Sequence, residues 1–152
     1  MAEGNKLFNI EIITPERVFF EGKGSMIEMN TTEGEIGCYP MHVPTTVVLS
    51  PGIVTIHDAQ VAGGLEIPEP IRNDGSLMAA IHAGFAEILG TKVVLMAEIA
   101  EWPSEIDRSR AEAAQKRAEG RIEAKTEEMD IMRAENSLRK ALVRQKITSL
   151  GG

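Results

Sequence analysis

Four cations near the C-terminus have the spacing to hold a polyanion. Arg110 and Arg117 stand seven residues apart, and Lys140 and Arg144 four apart. On helices each of those spacings puts the pair on one face. All four lie in the stretch Ser104 to Ile147, which has no proline and only one glycine, Gly120. If this stretch folds back on itself near residue 127, Arg110 comes opposite Arg144 and Arg117 opposite residues 137–140. Like charges at that range repel unless an anion lies between them. On spacing alone, a solvated charged face is favoured over a ligand site. Asp107 stands three residues after Ser104 and reads as the acid of a capping box whose cap is Ser104.

The other reactive residue types are sparse. Glu33 and Glu35 share one turn with no nucleophile or partnered base nearby, so a surface contact suits them better than acid–base chemistry. Gly22-Lys23-Gly24-Ser25 and the Gly34 to Gly37 segment lack the Gly-Lys-Ser/Thr ending of a phosphate loop. His42, His57 and His82 are isolated, and with the single cysteine, Cys38, they complete no zinc site. No Ser-His-Asp or Gly-x-Ser-x-Gly signature marks a hydrolase. Catalytic residues and bound metal are therefore not expected.

Two kinds of element position these groups. Before Pro103 the chain is short apolar runs cut by Gly and Pro. Strands are expected at Leu7–Thr14, Arg17–Glu21, Met26–Asn30, Thr45–Leu49, Ile53–His57, Leu65–Ile67, Leu77–Ala83, Phe85–Leu89 and Lys92–Glu98. Thr31 to Pro44 reads as turn-rich, and Asp58 to Gly75 as a long loop. About ten short strands at this spacing predict an all-β sandwich over residues 1–103. Residues 104–152 predict an antiparallel helical hairpin, with helices from Ile106 to about Lys125 and from about Asp130 to Ile147. The link is Thr126-Glu127-Glu128-Met129. Ala111, Ala114 and Ala118 face Ala134, Leu138 and Ala141 in a seam of small residues that buries little. Trp102 stands at the junction.

Composition excludes several classes. At 152 residues, 43% hydrophobic and 4% aromatic, the chain can build one good core or two small ones from aliphatic side chains. Residues 1–103 carry 14 acids against 5 bases, while residues 104–147 carry 9 against 11. An acidic body argues against nucleic acid as a partner. Met1-Ala2-Glu3-Gly4-Asn5-Lys6 opens no signal sequence, and no apolar run approaches the roughly 20 residues that span a bilayer. A reducing, cytosolic setting without direct membrane insertion is expected.

These residues, in this order, resemble a known family. Thr14-Pro15-Glu16, the run Glu33-Gly34-Glu35-Ile36-Gly37-Cys38-Tyr39-Pro40-Met41-His42-Val43-Pro44, Pro51-Gly52, Gly84-Phe85-Ala86-Glu87-Ile88 and Ile106-Asp107-Arg108-Ser109-Arg110-Ala111 are similar to the epsilon subunit of bacterial and chloroplast F-type ATP synthases. The likeness runs from about residue 7 to 147. It implies a non-catalytic rotor subunit that contacts the gamma subunit and the c ring, with Glu33, Glu35 and His42 on the ring side. It implies a hairpin that permits rotation when folded and hinders ATP hydrolysis when extended into the alpha/beta head. No cofactor is required, but regulatory ATP is implied, at Glu101, Ile106, Asp107, Arg110, Ala111, Arg117, Lys140 and Arg144. The implied location is peripheral, on the cytoplasmic face of the cell membrane, or the stromal face of the thylakoid in a plastid. The chain departs from the family in three places. Lys140 stands for an arginine, Ala83 and His82 replace small residues before Gly84, and the 58–75 loop is longer. A free-standing nucleotide sensor is the alternative, and a small hydrolase ranks last.

Overall fold

A computed structural model describes residues 6–124 and 128–150. They fall into two compact units, Met1–Trp102 and Pro103–Gly152. The first is a β-sandwich and the second a pair of helices.

Nine strands are present among the described residues: β1 Phe8–Ile13, β2 Val18–Gly24, β3 Met26–Thr31, β4 Gly34–Cys38, β5 Thr45–Leu49, β6 Gly52–His57, β7 Gln60–Val61, β8 Leu77–Ile88 and β9 Lys92–Glu101. They run in the order β4-β3-β5-β8-β9-β1-β2-β7, with β6 pairing both β3 and β8. β1 lies parallel to β9, and the other pairs are antiparallel. The sheet folds over on itself. Ile10 and Ile12 of β1, Ile27 of β3, Ile56 of β6, Ile81 of β8 and Leu95 of β9 meet in one buried cluster. Each such aliphatic side chain contributes roughly 1.5–3 kcal/mol on burial.

β8 turns the corner between the layers. Its residues 77–81 pair with β6, residues 84–88 pair with β5, and the opposite edge runs along β9. The handover falls at Ala83 (φ 63°) and Gly84 (φ 124°). A Cβ at Gly84 would strike the Met96 carbonyl and stand 2.8 Å from the Ala97 Cα, so only glycine fits. Ala83, by contrast, holds a left-handed backbone that alanine rarely adopts. The expected break at Gly84 is therefore a bend within one strand.

Other boundaries also differ from expectation. The turn-rich stretch contains β4, paired to β3 from Ile27–Cys38 to Thr31–Gly34. Its glycines hid a strand because edge strands need little side-chain packing. Leu65–Ile67 lies outside any strand, and the short β7 precedes it at Gln60–Val61. A β-bulge between Ile12 and Ile13 inserts an extra residue into β2. It allows both Phe19 and Phe20 to be buried, and Phe19 stacks on Trp102 with centroids 4.1 Å apart. Trp102 is 1% exposed and part of the sandwich core.

In the second unit a 3-10 turn, Pro103–Glu105, precedes α1 (Arg108–Glu123) and α2 (Glu128–Leu150). Lys125, Thr126 and Glu127 lie outside the described residues, and with them the first half of the expected link. Glu128 and Met129, its second half, belong to α2. Ser104 is not the cap. It sits in the 3-10 turn, and the Asp107 carboxylate caps α1 by accepting from Arg110 N at 3.2 Å. Ala111, Ala118, Ala134 and Ala141 are fully buried.

Candidate functional site

Two surfaces emerge, one on each unit. On the hairpin, Arg110 and Arg117 are exposed, while Lys140 and Arg144 are half-buried. Each of Arg110, Arg117 and Lys140 directly precedes a buried alanine of the seam. The helices are registered by a polar contact that apolar patterning did not reveal. Gln145 Nε2 donates to Gln115 Oε1 at 2.7 Å and to the Ala111 carbonyl at 3.4 Å. Residue 145 is thereby level with residues 111–115. Arg144 falls between the levels of Arg110 and Arg117 rather than opposite Arg110, a shift of up to about one turn. Lys140 falls near the level of Arg117. The signal in the sequence was two glutamines, each four residues after a seam alanine.

The remaining residues of the expected ligand set have structural duties. Ile106 N donates to the Pro103 carbonyl, Asp107 is the helix cap, and the Ala111 carbonyl accepts from Gln145. Glu101 ends β9 in the first unit, where its Oε1 lies 3.0 Å from His82 Nε2. His82 is fully buried and gives Glu101 a fixed partner.

On the sandwich, cross-strand register assembles an outward apolar row. Val48 pairs with Phe85, Phe85 with Met96, Met96 with Ile13, and Ile13 with Val18. Val48, Phe85 and Val18 are 56%, 41% and 47% exposed. One residue along each strand, and two along β2 at its bulge, the row Ala86–Leu95–Ile12–Phe20 faces inward and is wholly buried. Two residues along, Glu87, Glu11 and Glu21 border the apolar row with acid, and Lys92 Nζ pairs with Glu11 Oε2 at 2.7 Å. A depression of about 390 Å³ lies against the row, lined by Ile13, Pro15, Phe85 and Met96. Apolar residues on both faces of β1, β5 and β9 were the sequence sign of this surface.

Glu33 and Glu35 are exposed around the β3–β4 hairpin. Thr31 Oγ1 fixes it by donating to the Gly34 carbonyl at 2.7 Å and accepting from Glu33 N at 3.1 Å. His42 lies beyond the other end of β4, about 17 Å of strand away. Its Nδ1 contacts the Val43 carbonyl at 2.7 Å. The structure does not bring these three together.

No hydrolytic site forms among the described residues. Ser25 Oγ contacts Asp58 Oδ2, but the His57 ring is turned to Glu28 Oε1 at 2.6 Å. Burial pushes the Cys38 thiol up to about 11, so it is a neutral core side chain at neutral pH. Hydrogen bonds from Ser76 hold the Asp74 carboxyl below its usual value and fix the tip of the 58–75 loop. No group of metal-ligating side chains occurs among the described residues.

Both units match profiles of one family. Residues 7–103 match the ATP synthase delta/epsilon chain β-sandwich domain, and residues 104–148 the delta/epsilon chain long α-helix domain. The chain belongs to the ATP synthase epsilon-chain family. A relative from Caldanaerobacter subterraneus subsp. tengcongensis, an ATP synthase epsilon chain, is 37% identical over 146 residues, covering 95% of this chain and 96% of the relative. The ATP synthase epsilon chain of Thermobifida fusca is 44% identical over 120 residues, covering 78% and 79%. The fold is similar to a chain in the cryo-EM structure of the Euglena gracilis mitochondrial ATP synthase OSCP/F1/c-ring. That match has a TM-score of 0.69 and 20% identity, and covers 93% of this chain and 79% of the other. The epsilon-chain assignment accounts for a two-unit chain with no assembled catalytic group among its described residues. Among the described residues of this epsilon-family chain, no helix is long and apolar enough to cross a membrane.

Proposed function

We propose that this epsilon-family chain is a non-catalytic subunit of the ATP synthase central stalk, held on the gamma subunit by its sandwich. The apolar row from Val48 to Val18 carries this reading. Five strands expose apolar side chains in register, beside an acidic border. A contiguous apolar surface rimmed by charge is what a protein partner covers. The partner surface would be an apolar strip flanked by basic residues. The Glu33–Glu35 hairpin, exposed and fixed by Thr31, is the proposed contact to the c ring. The chain reaches the membrane only through that assembly, on the cytoplasmic face or its plastid equivalent. The test is rebinding to an ATP synthase stripped of its epsilon chain. Stoichiometric rebinding with restored coupling is expected, and a chain that stays free would overturn the proposal.

The hairpin is the regulatory part, and ATP its ligand. Arg110, Arg117, Lys140 and Arg144 flank the seam on one side, and a triphosphate there would accept charge-assisted hydrogen bonds from them. A ligand at a hundred times its dissociation constant stabilises the folded form by about 2.7 kcal/mol, enough to shift a weakly held pair of helices. In isothermal titration of the full chain, ATP binds, Arg110→Ala weakens it about tenfold or more, and Lys140→Arg tightens it by supplying a bidentate fork. Arg139→Ala changes little. Because Trp102 is stacked inside the sandwich, melting temperature is a better second readout than its emission. No heat and no melting shift at millimolar ATP would leave the cations a solvated face.

A further inference from the structure

Of the fully buried residues described on α1 and α2, four are alanines, Ala111, Ala118, Ala134 and Ala141, beside Ile147, and alanine methyl groups give little reason for one register over another. A polar link crosses the seam. Gln145 donates to Gln115 and to the Ala111 carbonyl, and Gln115 Nε2 in turn donates to Glu119 Oε2 at 3.2 Å. Both glutamines are half-buried. An α-helix advances about 100° per residue. Gln115 and Gln145 each come four residues after a seam alanine, Ala111 or Ala141, and so stand about 40° to one side of it. Arg110, Arg117 and Lys140 each precede a seam alanine by one residue and stand about 100° to the other side. In an antiparallel pair equal offsets fall on the same flank. The amides therefore hold one flank of the seam, and the cations crowd the opposite one.

We infer that the Gln115–Gln145 pair is the latch of the hairpin. It sets the register and opposes opening driven by the cations across the seam. This rests on the proposal that the hairpin opens. A slip of one turn toward Ala111 would set the Gln145 amide against a methyl group and leave it unsatisfied, a cost that apolar contacts do not impose, and a slip the other way would bring it to Glu119, which already accepts from Gln115 Nε2. The same register places Arg144 between Arg110 and Arg117, so the latch also shapes the anion groove.

Amide hydrogen exchange of the full chain without nucleotide measures opening of the helix pair directly. Gln145→Ala and Gln115→Ala each raise exchange of α1 and α2 about fivefold, the equivalent of one net hydrogen bond. The double variant exceeds either single variant by less than twofold, because both remove the same bond. Exchange in the sandwich strands stays unchanged. Nitroxides on Ser109→Cys and Ser149→Cys, with Cys38 buried and unlabelled, report the register as one narrow distance. Gln115→Leu/Gln145→Leu restores apolar contact without direction, so the helices stay paired and that distance broadens. Additive single effects, changes below twofold, or an unbroadened leucine variant would overturn the latch. Failure of the regulatory proposal looks different: the latch behaves as described in the isolated chain, while hydrolysis by the assembled enzyme ignores the hairpin.

Discussion

Phe85→Asp abolishes rebinding to the stripped ATP synthase while leaving the isolated chain folded. Phe85 is at the centre of the outward row, between Val48 of β5 and Met96 of β9. The residue is 41% exposed, so the fold gains only part of its burial. A partner that covers it completes that burial, and aromatic side chains at the centre of an interface typically carry about 2 kcal/mol or more. The aspartate adds a carboxylate that loses its water on docking and repels Glu87 and Glu11 beside it. A loss of at least about a hundredfold in affinity is expected from the two together. The melting temperature should fall by only a few degrees, as expected for about 1 kcal/mol in a domain of this size. Titration of stripped enzyme and a thermal melt measure the two quantities. Undiminished rebinding would move the gamma contact to another face.

A chain ending at Pro103 melts cooperatively, joins the stalk and leaves ATP hydrolysis uninhibited. Every residue of the buried cluster lies between Phe8 and Trp102, so the hairpin contributes no side chain to that cluster. Trp102 remains stacked on Phe19, and its blue-shifted emission in the truncated protein reports that the last strand is in place. Hydrolysis by enzyme rebuilt with the truncated chain should exceed that with the full chain several-fold and lose its dependence on the Arg110 and Arg144 variants. A gradual melt would show that the two units need each other to fold. Equal hydrolysis with and without the hairpin would remove its regulatory role.

The body-plus-hairpin organisation is legible because it is written in composition. Gly and Pro punctuate the residues before Pro103, and Ala, Glu, Lys and Arg fill the residues after it. Strands with β-branched or strictly alternating residues, such as Ile53–His57, are legible to within a residue. β4 escapes because Gly34-Glu35-Ile36-Gly37-Cys38 has the texture of a turn, and only its pairing with β3 makes it a strand. The break at Gly84 misleads for the opposite reason: local punctuation suggests a stop, but β9 continues to pair past it. At the candidate surfaces, charge is visible in the sequence and register is not. The arginines announce themselves by spacing, yet Gln115 and Gln145 decide which of them stand level. The apolar row needs partners from five strands, none of which is a neighbour of all the others in sequence.

The bend in β8 has a mechanical meaning. A sandwich whose layers touch only through side chains can creep when one face is pulled sideways, since dispersion contacts re-form after each small slip. Here one strand belongs to both layers, bonded to β6 before the bend, to β5 after it, and to β9 along its length. A tangential force on Phe85 is thus delivered to the far layer as tension in a covalent backbone. It loads many ladder bonds in shear at once. A part that must turn with its partner through repeated cycles gains stiffness from that continuity, and Gly84 is the residue that lets the strand pass the corner without being cut.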